Sequence, residues 1–264
     1  MSPICGVVSR NDEDVSSPIH SMMSTLCGRS SAEAWLVSGG VSHRWQRDTQ
    51  PIRRQALGQV SFATREQGIT RPGFNRNGKL SVLYEGNLYN SASLMLGLAS
   101  KQKPNSESAA EIVACLLAER YQGNLVDTLK QVSPMLDGEF CLAASDEREV
   151  ALMRDFAGLR PAFYAENNNL LAFACRKTAL WQIGMRNVRP LRAGMVASFG
   201  KDGFRLDEAY PLSKMGLKVA IDDPVVAIDR YCVLLKAAVE KRLHNVERVA
   251  ALVSGGVDSC LIAK

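Results

Sequence analysis

Ser254-Gly255-Gly256-Val257-Asp258-Ser259 has the residue types of a phosphate cradle. Two adjacent glycines leave backbone that a phosphate oxygen can approach without meeting a Cβ. The apolar run Val249-Ala250-Ala251-Leu252-Val253 predicts a short strand delivering the loop, and Cys260 to Lys264 predicts the helix leaving it. That order aims backbone N–H groups, serine hydroxyls and a helix N-terminus at one anion, with Val253 the last strand residue beside it. Asp258 does not suit a bare phosphate, so it implies a metal ion shared between carboxylate and phosphate. A nucleotide-binding α/β domain needs further βα units, yet one strand and the start of one helix are all that follow. The remainder is expected to be lost by truncation or supplied by another chain.

The elements that carry these residues separate at a linker, expected over 212–223. Before it, β signals dominate. Cys5-Gly6-Val7-Val8 reads as a short strand, and Ile19, Met22, Met23 and Leu26 give Ser17–Leu26 a helical face. Lys79–Tyr84 alternates and is expected to turn at Gly86; Ser106–Tyr121 is expected to be a helix. Four strands are expected over 140–144, 150–153, 162–164 and 170–174, with turns at Asp146–Glu149 and Asn167–Asn169. Thr178–Ile183 reads as a short helix, and Met195–Phe199 enters a hairpin through Gly200-Lys201-Asp202-Gly203. After the linker, Pro224–Leu243 is a long amphipathic helix.

Bulk properties exclude several function classes. The 264 residues are 46% hydrophobic and 22% charged, ordinary for a globular chain. No run is long and apolar enough for a membrane span, and no secretory signal is visible. The net charge of +5 is spread along the chain, so short clusters such as Arg53-Arg54 and Lys241-Arg242 read as solvated faces, not a nucleic-acid track. Seven cysteines, an odd number without a CxxC pair, read as reduced thiols of a cytoplasmic protein.

Seven segments then fall in a specific order: Cys5-Gly6-Val7-Val8, Glu85-Gly86-Asn87-Leu88-Tyr89-Asn90, Leu136-Asp137-Gly138-Glu139-Phe140, Arg154 to Pro161, Phe173 to Leu180, Val188 to Gly194, and the Ser254–Ser259 loop. This series resembles the glutamine-dependent asparagine synthetase family, with β-lactam synthetase similar in the same order. The resemblance implies an α+β, four-layer αββα N-terminal-nucleophile domain over 1–211, of class II glutamine amidotransferase type. The opening of an α/β ATP pyrophosphatase domain would follow over 224–264. It implies glutamine hydrolysis that feeds ammonia to a carboxylate, such as that of aspartate, adenylated by ATP. Val253, Ser254, Gly255, Gly256, Asp258 and Ser259 would hold ATP, and Asp258 would hold Mg²⁺. Two alternatives stand beside it: a glutaminase-silent ligase of β-lactam-synthetase type using ammonia or an internal amine, and a non-catalytic binding subunit. A partner chain completing the synthetase domain and a homodimer are both open.

In that family the nucleophile is an N-terminal cysteine whose own α-amine is the base. The resemblance assigns this role to Cys5, which can act only once residues 1–4 are removed; removing Met1 alone leaves Ser2 at the terminus. The family's oxyanion hole is an Asn-Gly pair, here Glu85-Gly86, so Glu85, Gly86 and Asn87 are the expected substrate contacts. An ionised Glu85 would repel an oxyanion, and Asn87 would point the other way if the strand stays extended. Ala109 stands where an Asp would hold the glutamine amine, with Glu107 the nearest acid. The carboxylate-clamping Arg would fall near Ser61, with Arg44 and Arg65 nearby. Arg154-Asp155 is expected to be a charge pair in a loop.

Overall fold

The computed structural model describes residues 2–28, 33–46, 52, 54–61, 70–75, 77–99, 103–146, 148–200, 203–210, 221–243, 246 and 248–264. Among the residues singled out above, Arg53, Arg65, Glu147, Lys201, Asp202 and most of the expected linker lie outside these. The chain divides into two units, Met1–Leu212 and Ser213–Lys264.

In the first unit two antiparallel sheets lie face to face. One orders its strands β11(Arg189–Pro190), β9(Phe163–Glu166), β10(Leu170–Ala174), β1(Ile4–Ser9), β4(Gln55–Ser61), β2(Glu33–Ser38), β3(Val41–Arg44). The other runs β13(Gly203–Glu208), β12(Met195–Gly200), β8(Glu149–Arg154), β7(Gly138–Ser145), β6(Ser81–Leu88), β5(Gly73–Phe74). Helices α1(Ser16–Cys27) and α5(Lys177–Gln182) cover the first sheet; α2(Ser91–Gly97), α3(Ala109–Arg120) and α4(Leu125–Val132) cover the second. The layers are therefore αββα.

Three apolar clusters hold the layers together. Val7, Ile19, Met22, Met23 and Leu26 pack α1 onto the outside of the first sheet. Ile4, Val8, Leu57, Leu83, Cys141 and Phe173 fill the space between the sheets. Tyr84, Ile112, Val113, Leu129 and Phe140 seat α3 and α4 on the second. Strand β1 is buried on both faces, and alternation sends its even residues between the sheets and its odd residues under α1. Gly6 is needed because a Cβ there would lie 2.4 Å from the Phe173 ring.

Three expectations need correcting here. Strand β6 does not turn at Gly86 but runs on to Leu88, because β7 pairs it throughout, Gly86 opposite Phe140. Helix α3 starts at Ala109, not Ser106, because the Glu111 carboxylate takes the Ser106 hydroxyl and the Asn105 N–H into a preceding loop. Arg154 and Asp155 do not pair. The Arg154 guanidinium donates to the carbonyls of Gly158, Arg160 and Leu191, and the buried Asp155 carboxylate accepts the Leu159 and Arg160 N–H groups.

The second unit holds α6(Pro224–Leu243) and α7(Val257–Ala263). No residue of either helix is buried. The expected strand at Val249–Val253 is irregular, and Leu252 is 100% exposed. A lone strand leaves its N–H and C=O groups without a ladder, and no described segment pairs with it.

Candidate functional site

The head of β1 and the middle of β6 are brought together. The Ile4 carbonyl accepts the Cys175 N–H at 3.0 Å, and Ile4 pairs with Gln59 on β4. Both flanking residues reach the opposite sheet. The Gln59 amide donates to the Tyr84 carbonyl at 3.0 Å, and the Cys175 thiol hydrogen-bonds the Glu85 carboxylate. Glu85 is 3% exposed with Oε2 unpartnered. Burial pushes its pKa up, against the thiol hydrogen bond and the Arg160 charge, which pull it down. Burial also pushes the Cys175 thiol up, helped by Cys141 and then Glu85.

Gly86 adopts φ +135, and a Cβ there would sit 1.9 Å from the Glu139 carbonyl oxygen, so only glycine fits. Asn87 donates to Glu139 Oε1 at 3.0 Å, and the same oxygen takes Arg160 at 2.8 Å. Asn87 is thus engaged in the Glu139–Arg160 pair.

Cys5 is not brought to this cleft. It is fully buried within the α1-facing cluster, and its peptide lies inside the ladder between Gly58 and Ala174. Burial pushes its thiol far above the ordinary range, which disfavours the thiolate. Ser2 lies two positions before Ile4, just ahead of β1, where the Val60 N–H on the Pro3 carbonyl continues the pairing; alternation would give it the Ile4 face, and it is buried with its hydroxyl donating to Thr70 at 3.0 Å. Of the other glutamine-contact positions, Ser61 is buried and accepts the Thr70 N–H, so Thr70 joins it to Ser2, whereas Arg44 pairs with Glu33 at the sheet edge and Glu107 is exposed.

Cys5 is the chemically conspicuous residue of the first segment, whereas Ser2 carries no local signal of its own. Counting in twos from Gly6, where the Phe173 ring leaves no room for a side chain, finds Ser2. Gln59, Cys175 and the Glu139–Arg160 pair carry no local signal, since their roles arise from register between strands far apart in sequence.

In the second unit Gly255 takes φ +83, the Ser254 and Ser259 hydroxyls lie 3.1 Å apart, and Gly256 N–H points at Ser254 Oγ. Asp258 stands in the first turn of α7. Among the described residues no three acidic, cysteine or histidine side chains gather into a metal cluster. Hydroxyls, glycine N–H groups and one carboxylate form a donor set that fits a phosphate with a single protein ligand to its Mg²⁺.

Two face-to-face antiparallel sheets between helical layers, with the cleft at the head of the first strand, define an amidotransferase fold of the N-terminal-nucleophile type. Residues 46–182 match the glutamine amidotransferase domain family, and the chain belongs to it; residues 232–264 match asparagine synthase. A Methanocaldococcus jannaschii protein named "Putative asparagine synthetase (glutamine-hydrolyzing) 1" is 24% identical over 241 residues, 82% of this chain and 42% of the relative. An amidophosphoribosyltransferase of Methanothermobacter thermautotrophicus is 25% identical over 124 residues, 46% of this chain and 26% of the relative. The chain thus spans less than half the length of these relatives. Among solved structures, glutamine phosphoribosylpyrophosphate amidotransferase from B. subtilis superposes with a TM-score of 0.67 at 19% identity, over 79% of this chain and 49% of that one. A class-II glutamine aminotransferase domain protein from Silicibacter pomeroyi gives 0.51 at 11%, over 79% and 100%. No described helix is long and apolar enough to cross a membrane.

Proposed function

We propose that the chain is the glutamine-hydrolysing part of an asparagine-synthetase-type amidotransferase, with Ser2 as its nucleophile instead of Cys5. The observation that carries this reading is the position of Ser2: cleft side of the first strand, ahead of Ile4, while Cys5 is sealed under α1. Removal of Met1 frees the Ser2 α-amine, which takes the hydroxyl proton as Oγ attacks the glutamine carboxamide carbon. The amine then returns the proton to the leaving ammonia, and water cleaves the ester. Gly86 N–H is the donor candidate for the oxyanion. Ser254, Gly255, Gly256 and Ser259 would hold the ATP phosphates and Asp258 the Mg²⁺. When bound, these groups supply activation of a carboxylate, such as that of aspartate, by adenylation.

Glu85 favours a second reading. A buried carboxylate beside Gly86 stands where a donor is wanted, which suits a silent scaffold domain serving a ligase fed by free ammonia or an internal amine. Glutamine hydrolysis by wild type, Ser2→Ala and Cys5→Ala separates the readings, alongside intact mass to establish loss of Met1. Activity lost in Ser2→Ala and kept in Cys5→Ala is expected. Activity lost only in a folded Cys5→Ala protein overturns the assignment, and no activity in any of them favours the scaffold.

A further inference from the structure

The β6–β7 ladder places Gly86 opposite Phe140 at one end and Ser81 opposite Ser145 at the other. At that second end, remote from the cleft, lies a cavity of about 590 Å³ floored by Ser81 and Ser145 and rimmed by Gly40, Gly78, Arg54 and Lys79. A neighbouring cavity of about 460 Å³ shares Arg54 and adds Arg148 and Arg205. Both volumes lie in the range of small-ligand sites.

The lining is cationic in effect. Of its two carboxylates, Asp146 is spent: Oδ1 accepts the Arg148 and Glu149 N–H groups, each at 2.7 Å, and Oδ2 accepts the Tyr121 hydroxyl. Glu149 accepts the Leu125 N–H at 3.3 Å and faces Arg205 at 3.7 Å. Lys79 forms no ion pair among the described residues. Arg54 is a non-glycine residue held at φ +70, its guanidinium fixed by a 2.6 Å hydrogen bond to the Arg148 carbonyl, with its Nε 3.8 Å from the half-exposed Asp12 carboxylate. Strain of that kind persists only where the surroundings over-determine it. Gly40 approaches Gly78 so closely that a Cβ would lie 2.7 Å from the Gly78 carbonyl oxygen, leaving glycine backbone at the rim.

We propose that this end of the sandwich binds the phosphate end of a small phosphorylated ligand, with Arg54 and Lys79 as its paired cations. The site lies at the opposite end of the β6–β7 ladder from Gly86, and it does not depend on the reaction proposed above. A fixed guanidinium offers a planar fork to phosphate oxygens, Lys79 adds a mobile charge, and the glycine edges admit the anion closely.

Titration calorimetry of the full chain with inorganic pyrophosphate tests this, with sodium chloride at matched ionic strength as control. Saturable binding is expected, weakened about tenfold or more in Arg54→Gly, which suits the left-handed backbone while removing the charge, and likewise in Lys79→Ala. Lys79→Arg should retain it. Absence of saturable binding overturns the proposal, as does affinity unchanged in both Arg54→Gly and Lys79→Ala. Binding lost in Ser259→Ala but kept in Arg54→Gly assigns the anion to the other loop and equally overturns it.

Discussion

Replacing Arg154 by Met tests the idea that one guanidinium organises the loop beneath β8. Met keeps most of the aliphatic stem and removes every donor. Arg154 hydrogen-bonds three carbonyls, those of Gly158, Arg160 and Leu191, the last at 2.7 Å. Hydrogen bonds to a charged group contribute about 1.5–3 kcal/mol each, so three independent bonds would sum to roughly 4.5–9 kcal/mol. The residue is only half-buried, and water can replace part of what is lost. An expected destabilisation of about 3–5 kcal/mol follows, within the range for breaking a partly buried charged network. Against a domain stability of about 5–15 kcal/mol this is a large fraction. Equilibrium urea unfolding is the assay: with a slope of about 3 kcal/mol/M the midpoint should fall by roughly 1–1.7 M at unchanged slope. Arg154→Lys should recover little, since an ammonium cannot span three diverging carbonyls. A midpoint shift under about 0.3 M for Arg154→Met would refute the reasoning and show that the backbone of 156–161 holds itself.

Gly86→Ala should lose at least about 3 kcal/mol in the same unfolding experiment, because the methyl meets the Glu139 carbonyl at 1.9 Å in a left-handed backbone; a loss under about 1 kcal/mol would contradict the geometry. Burial raises the folded-state pKa of Glu85, so the fold binds a proton more tightly than the unfolded chain does. That contribution is fully present below the ordinary carboxylate value of 4.5 and is lost as pH rises through the folded value. Glu85→Gln should therefore gain stability relative to wild type as pH rises from 4 to 8, measured by urea midpoints, and a constant difference would refute the assignment. In native protein a thiol reagent should modify the exposed Cys232 and Cys260 and spare Cys5, as read by peptide mass mapping. Native-state labelling of Cys5 would place that thiol outside the α1 layer.

What the sequence made legible follows local rules. Residues 138–145, 149–154 and 170–174 fold as strands near the apolar runs that the expected turns bound, and Ser16–Cys27 is a helix because Ile19, Met22, Met23 and Leu26 supply one apolar face. Strands β2 to β5 and helices α2 and α4 are not among the expected elements. Gln55–Ser61 is a strand buried on both faces, so its pattern lacks period-two contrast, and Leu125–Val132 follows an Asn124 cap that accepts the Asp127 N–H. The Ser254–Ser259 loop was readable as chemistry, while the strand before it needed pairing partners that the described residues do not supply.

Register decides the candidate site more than residue type does. Both faces of β1 are apolar, so hydrophobicity cannot say which one looks across to β6. Phe173 decides it, since its ring occupies the space that a side chain at position 6 would need. Gly6 therefore faces the opposite sheet, and Ile4 and Ser2 share that face while Cys5 and Val7 go under α1. A one-residue slip would exchange the two sets, sending Ser2 to the α1 side and turning the thiol toward Glu85. The slip is opposed by the Ile4–Gln59 pairing, by the Cys175 N–H on the Ile4 carbonyl and by the Val60 N–H on the Pro3 carbonyl, three backbone constraints within the first four residues. The proposed nucleophile is thus whichever residue precedes Ile4 by two, and in this chain that residue is a serine.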